Sequence, residues 1–318
     1  MLAAYAATTS PTFPLSGLVV GEMPEPEPRE AWTTVDVRAA SLNHHDLWSL
    51  RGVGLPDRLL PMILGTDAAG VTADGREVVV HGVIGADGHG VGPDERRTLL
   101  SEKYAGTLAE KVRVPTANLL DKPAGLTFAE AACMPTAWLT AYTLLFRAAD
   151  LRPGASVLVQ GAGGGVASAA VALGVAAGLQ VHVTSRSAAK RERAEALGAH
   201  AHEPGARLPR RVDAVVETVG RATWSHSAAS VRPGGTIAVA GATTGDPEAA
   251  ELTRIFFNEV RVQGVTMGSR EDLAALLAFV AAHDVRPVIA LDLPLAQAAD
   301  GLRALASGEH FGKIVLRP

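Results

Sequence analysis

The chain holds a single cysteine, Cys133, in 318 residues. One thiol excludes any disulfide within the chain, and it excludes a structural zinc lobe built on four cysteines. Its setting, A-E-A-A-C-M, reads as a small buried residue in an alanine-rich helix. Tyrosine is nearly as scarce, with Tyr5, Tyr104 and Tyr142 making up the whole set. Positive charge is not in excess either. The formal net charge of −4 points away from nucleic acid and from an anionic membrane surface as partners. No apolar run reaches transmembrane length without a polar or glycine interruption. The opening M-L-A-A-Y-A-A-T-T-S lacks the basic start and apolar stretch of a signal peptide. The expectation is a cytoplasmic protein with enough chain for two domains.

What is present changes character along the chain. Residues up to about Lys122 lean to β structure. Pro24 to Glu30 alternates proline and glutamate, which suits turns and edges. Trp32 to Ala40 alternates apolar and polar residues as a half-exposed strand would, and Leu60 to Val71 reads as an apolar strand interrupted by small residues. Between them Asn43 to Leu50 looks like a short helix, with Asp46 placed to cap it or to orient a neighbour. Strands are also expected at Glu77–Val83 and Gly106–Val114. From Lys122-Pro123 onward helix and strand alternate. Thr127 and Glu130 form a T-x-x-E capping pattern, and Met134 to Ala149 reads as one long apolar helix. The alternation that follows predicts a parallel sheet covered on both faces.

The segment V-L-V-Q-G-A-G-G-G-V-A, residues 157–167, is the centre of that second part. A short apolar strand, a glycine-crowded turn and a long Ala/Val/Leu helix follow one another, which is the order a dinucleotide site needs. The spacing is best read as G-x-x-G-x-x-A on Gly161, Gly164 and Ala167. The helix start at Gly165 and Val166 offers unpaired N–H groups to a pyrophosphate. About twenty residues on, an acid that would hold the ribose of NAD is missing. The second strand runs instead into Ser185-Arg186, with Lys190 one helical turn later. A 2′-phosphate wants hydroxyl and cationic partners, so NADPH is the expected cofactor. Further strand ends at Val219, at Gly241-Ala242-Thr243 and at Thr266-Met267 would complete the site.

Together these pieces resemble the medium-chain dehydrogenase/reductase superfamily, and within it the zinc-free quinone oxidoreductase-like branch. The carriers are V-R-A-A-S-L-N-H-H-D-L-W (37–48), L-G-T-D-A-A-G-V (64–71), G-T-L-A-E-K-V-R-V-P (106–115), L-T-A-Y-T-L-L (139–145), the glycine turn and G-K-I-V-L (312–316). The resemblance implies an α/β protein: a GroES-like β domain plus a Rossmann domain with a doubly wound parallel sheet. It divides the chain into an N-terminal part of the catalytic domain at 1–122, the Rossmann domain at 123–267, and a C-terminal return at 268–318. It implies that Asn43 and Thr140 stand near the nicotinamide, that Lys313 reaches the cofactor, and that a homodimer forms through the Rossmann edge, around Val260–Met267.

Zinc alcohol dehydrogenases of the same superfamily bind metal through a Cys after the first β segment and through a G-H-E motif. Here the corresponding positions are Asn43 and Gly65-Thr66-Asp67, and asparagine is a poor zinc ligand. The segment from Gly85 to Lys103 reads as a shortened loop in place of the structural-zinc lobe. Without a Lewis acid, alcohol oxidation is disfavoured. Hydride transfer to a small-molecule carbonyl or quinone, an electron-poor acceptor, fits better. Asn43 and Thr140 are the expected positioning residues. Trp48 stands where the branch often has tyrosine, so it is read as a pocket wall, with Phe311 as a companion. Two alternatives stay open. One is a zinc alcohol dehydrogenase with unorthodox ligands among His44, His45 and Asp67. The other is a weakly catalytic NADPH-binding sensor.

Overall fold

A computed structural model describes residues 1–85 and 98–318. Most of the segment 85–103, read as a shortened loop, therefore lies outside the described residues. The chain divides into two compact units: Met1–Ala137 with Ser269–Ala282 and Val288–Pro318, and Trp138–Gly268 with His283–Pro287. The break at Ala137 and Trp138 falls later than the change in composition at Lys122-Pro123. Phe128–Ala132 looks like the start of the second part by composition, but it packs against the strands Trp32–Ser41 and Asp67–Thr72 of the first unit.

The first unit is mainly antiparallel sheet. Its larger sheet runs Leu119–Asp121, Glu77–Val80, Asp67–Thr72, Trp32–Ser41, Lys313–Arg317, Ile289–Pro294, with Lys111–Pro115 also on Trp32–Ser41. The long strand Trp32–Ser41 is the hub. It pairs antiparallel with Asp67–Thr72 in the register Ser41↔Asp67, and with the C-terminal strand in the register Val315↔Ser41. Val35, Val37 and Ile314 of these strands share an apolar core with Leu47 and Leu50 of the helix His44–Leu50 and with Leu302 and Leu305. The stretch Leu60 to Val71 is not one strand. It splits into Met62–Ile63 and Asp67–Thr72, and the chain turns between them at Gly65-Thr66.

The second unit carries a six-stranded, wholly parallel sheet. Its spatial order is His200–His202, Gln180–Thr184, Ser156–Val159, Val212–Glu217, Val231–Val239, Arg261–Gly264. The first strand in the chain lies third in space, so the sheet reverses direction beside it. Doubly wound sheets bind ligands at such a reversal, outside the carboxyl ends of the strands. The central strand is buried throughout as S-V-L-V, as expected of a parallel strand covered on both faces. Leu158, Val215 and Ile237 from three neighbouring strands join Trp224 and Val231 in the core.

One further sequence expectation needs revision, and two short elements were not anticipated. Met134 to Ala149 is helical, but not uniformly: Met134–Trp138 and Leu144–Ala148 have wider turns, with the ordinary helix Leu139–Thr143 between them. Pro135 lies in the first wide turn and has no N–H to give, which favours a departure from the regular ladder. The strand His200–His202 and the helix Leu252–Phe257 carry too little periodicity to be read from the sequence.

Candidate active site

The helix Gly165–Ala176 follows the strand Ser156–Val159 after a turn of glycines. Gly161 has φ of +82°, a conformation costly for any residue with a Cβ. Gly164 is the N-cap, and a side chain added there would meet nothing within 4 Å, so the helix start is open on this unit. The helix approaches the neighbouring strand closely at Gly174. A Cβ there would stand 2.8 Å from Val181 Cγ2.

Three buried polar residues at strand ends hold this turn, and the sequence reading passed over their role. Thr184 Oγ1 donates to Gln160 Oε1 at 2.7 Å and accepts from the Gly161 N–H at 3.3 Å. Gln160 Nε2 continues to Ser227 Oγ at 3.0 Å. The Glu217 carboxylate accepts from the N–H groups of Val219 and Gly220 and from the hydroxyls of Thr223 and Ser227. A buried carboxylate with that many donors is satisfied rather than reactive. The signal was available: each apolar strand ends on one polar side chain.

The remaining dinucleotide candidates gather along the same sheet edge. Val159 pairs with Val183, so Gln160-Gly161 and Thr184-Ser185 leave the sheet side by side. Ser185 is half-buried, and its Oγ accepts from the Ser187 N–H; Arg186 is exposed. Ser187 caps the helix Ala188–Ala196 by accepting from the Lys190 N–H. Val219 lies with its Cγ2 3.7 Å from the Cβ position of Gly161. Thr243 N–H donates to Thr218 O and Thr244 N–H to Val219 O, which stitches the Gly241-Ala242-Thr243 loop to the neighbouring one. Val265 N–H bonds Val239 O, which brings Thr266 and Met267 to the next strand end. Met267 is buried and Thr266 exposed. Thr140, on the helix Leu139–Thr143 of this unit, is buried.

The first unit holds a different polar centre, and it is closed. Asn43, at the start of the helix His44–Leu50, turns its amide inward. Its Nδ2 donates to Asp67 Oδ2 at 2.8 Å, and its Oδ1 accepts from Lys313 Nζ at 2.6 Å. Lys313 Nζ also donates to Leu42 O at 2.7 Å and stands 3.4 Å from Asp67 Oδ2. Ser41 Oγ donates to Asp67 Oδ2 at 2.7 Å, while Asp67 Oδ1 is buried with no hydrogen-bond partner. Asp46, the expected cap, accepts from Asn43 N–H and from Gly65 N–H. Burial is the main influence on its carboxyl and pushes the pKa up to about 7, with the nearby Asp67 charge adding to the rise.

The Lys313 ammonium is 3% exposed and bonded to three oxygens of its own unit. Phe311 is likewise buried, at 2% exposure, whereas Trp48 is half-buried with the Arg51 guanidinium 4.9 Å from its ring centre. His44 is exposed. His45 is half-buried, with Nε2 3.5 Å from Ser49 Oγ, and burial holds its imidazole below the usual range. The two neighbouring histidines thus face different surroundings.

A parallel sheet in the Rossmann order with an open glycine turn, together with a mainly antiparallel β unit built from both ends of the chain, defines a dinucleotide-dependent oxidoreductase. Comparison with known proteins makes the class specific. The zinc-binding dehydrogenase family matches residues 165–282. The probable acrylyl-CoA reductase AcuI of Escherichia coli K12 is 32% identical over 74% of each chain. A solved NAD-dependent alcohol dehydrogenase superposes over 100% of both chains with a TM-score of 0.91 and 33% identity. The cobalt- and zinc-bound alcohol dehydrogenase of Pyrobaculum aerophilum superposes over 100% of this chain and 99% of its own, with a TM-score of 0.90 and 28% identity. The chain belongs to the medium-chain dehydrogenase/reductase superfamily, with its GroES-like and Rossmann domains.

The family description carries zinc, and the donor set does not fit one. Asn43 Oδ1 and Asp67 Oδ2 face the Lys313 ammonium, which leaves Asp67 Oδ1 as the one oxygen of the pair without a partner. A dication there would be repelled, and a neutral amide is a weak zinc ligand. Among the described residues no group of three or more His, Cys, Asp or Glu side chains is set to hold a metal ion. Also among them, no helix is long and apolar enough to cross a membrane.

Proposed function

We propose that the protein reduces electron-poor acceptors, an α,β-unsaturated carbonyl compound or a quinone, with NADPH and without a metal. The observation that carries this reading is the Lys313 ammonium lodged against Asn43 and Asp67. An alcohol needs a Lewis acid to ionise at neutral pH; a conjugated acceptor does not. The name of the Escherichia coli relative favours an unsaturated acyl thioester within that class. NADPH, when bound, would supply the hydride for the β-carbon of an unsaturated carbonyl acceptor; the C=C pair would then shift toward the carbonyl carbon as the C=O pair moves to oxygen, and a proton from solvent would complete the α-carbon.

The chain's own residues bind and orient. The turn at Gly161, Gly164 and Gly165, with Val166 behind it, receives the pyrophosphate at an open helix start. Ser185, Arg186 and Lys190 receive the 2′-phosphate, where an acid would repel it. Val219, Gly241, Ala242, Thr243, Thr266 and Met267 form the rest of the dinucleotide bed. Asn43 serves as a positioning residue, because its side chain ties the start of the helix that carries Trp48 to Asp67 and Lys313. Thr140 is the second positioning residue. The protein works as a cytoplasmic homodimer through the Rossmann edge. In support, all of the edge strand Arg261–Gly264 is exposed, and Leu252, Phe256, Phe257 and Val262 present apolar side chains on that strand and on the helix Leu252–Phe257.

The test is steady-state oxidation of NADPH and NADH against 2-alkenals, a 2-enoyl-CoA thioester and 9,10-phenanthrenequinone, with and without chelator. The expected result is NADPH-driven turnover of at least one acceptor, indifferent to chelator. Chelator-sensitive alcohol oxidation with NAD would establish the alcohol dehydrogenase reading named by the solved relative. Tight NADPH binding with no turnover would leave the sensor.

A further inference from the structure

We propose that the Rossmann unit has a second anion site, away from the glycine turn, which takes a multiply charged phosphorylated small molecule. The site is a cavity of about 450 Å³ between the connection 203–211, the helix Trp224–Ser230 and the helix Leu252–Phe257. Arg207, Arg210, Arg211 and Arg254 line it, with His226 and Ser230, and no carboxylate is among its lining residues. None of those residues belongs to the dinucleotide bed.

The four guanidinia have little else to do. Arg210 donates to Gln180 Oε1 and Arg211 to Asn258 Oδ1, both neutral oxygens. The carboxylates nearest in sequence are already taken: Glu203 pairs with Arg191 and Asp213 with Arg232. Among the described residues no carboxylate pairs with Arg207, Arg210 or Arg211. Arg254 stands nearest to a counter-charge, with Nε 3.7 Å from Glu251 Oε2, yet that Nε is buried and has no hydrogen-bond partner. Like charges crowded into a concave surface repel one another and concentrate an anion from solution. The planar forks match the paired oxygens of phosphate, and a cavity of this size holds a small ligand rather than a lone ion. His226 closes the wall without competing for the anion. Its Nε2 meets Ala206 O at 2.9 Å and its Nδ1 meets Gln160 Nε2 at 3.0 Å, so neither nitrogen is left over.

Gln160 also holds the glycine turn through Thr184, so the test keeps the dinucleotide site filled. Pyrophosphate is titrated calorimetrically into the protein under saturating NADP⁺, at several salt concentrations. One site per chain is expected, weakening steeply as salt rises. In the exposed double variant Arg207→Ala/Arg211→Ala its Kd rises about tenfold or more, and the upward shift of the unfolding midpoint by pyrophosphate disappears. The variant's midpoint without pyrophosphate matches the wild type, and Arg207→Lys/Arg211→Lys recovers part of the binding. Arg186→Ala leaves the pyrophosphate Kd unchanged. Absence of binding, an unchanged Kd in the double variant, or a Kd that depends on Arg186 would each overturn the proposal.

Discussion

The two polar centres of this molecule are built in opposite ways. In the GroES-like unit, Asn43, Asp67, Ser41 and Lys313 are buried and bonded to one another. At the sheet edge of the Rossmann unit, Gly164 faces open space and Arg186 is exposed. A closed centre has all but one of its polar atoms engaged, Asp67 Oδ1 being the exception; an open edge has helix-start N–H groups and an exposed guanidinium to offer. On the proposed function, the first bears on what chemistry is denied and the second on what ligand is recognised. Variants that open the one or discharge the other separate these roles.

The largest effect belongs to the closed centre. Asp67→Ala leaves the Lys313 ammonium buried without its carboxylate and is expected to lower unfolding stability by about 3–5 kcal/mol. The double variant Asp67→Ala/Lys313→Met should regain most of that in denaturant unfolding. A loss under about 1 kcal/mol in the single variant would show that the pair is solvated and the centre open. Next in size is Arg186→Ala at the open edge. It should weaken NADPH by about 10- to 100-fold, the worth of one charge-assisted contact, and leave NADH unchanged in fluorescence titration. Equal losses for both cofactors would remove the 2′-phosphate assignment. Gly161→Ala should cost about 1 kcal/mol of stability for the left-handed backbone and weaken both cofactors alike.

The smallest effects are in pH, and they run in opposite directions in the two units. Asp46 is raised from 3.8 to about 7, so the fold favours its protonated form. Its contribution is complete below about pH 4 and is lost as pH rises through 7. His182 is lowered from 6.5 to about 4, first by burial and then by His202, His200 and Arg210, so the fold favours neutral imidazole. Its contribution is complete above about pH 6.5 and is lost as pH falls through 4. Unfolding midpoints of Asp46→Asn and His182→Gln measured across pH 4–8 should each flatten one limb of the wild-type profile. If neither limb changes, both groups titrate alike in the folded and unfolded chain.

The sequence showed the Rossmann unit more fully than the other. Its glycine turn, the apolar strand before it and the Ala/Val/Leu helix after it are local patterns and were legible as such. Asn43 and Asp67 were legible as positions, but not as partners. Their contact and the arrival of Lys313 depend on the registers Ser41↔Asp67 and Val315↔Ser41, across 24 and 270 residues of chain. No local rule carries that information. The same holds for the arginine cavity: Arg207, Arg210 and Arg211 are near in sequence, but Arg254 comes to them only through the packing of two helices. Gln160, Thr184 and Glu217 were missed for another reason. Each stands as a single polar residue closing an apolar strand, but that they act together is visible only once the sheet order sets them side by side.

On the proposed function, the lysine at the Asn43–Asp67 pair goes with a metal-independent hydride-transfer enzyme. The most direct measurement is kcat/KM for reduction of a 2-enoyl-CoA thioester, a 2-alkenal and 9,10-phenanthrenequinone by NADPH and by NADH, on protein of known metal content, before and after exhaustive chelation. Turnover with NADPH well above NADH, unchanged on removing metal, is the expected result. Activity that disappears with chelator and returns with zinc would contradict it.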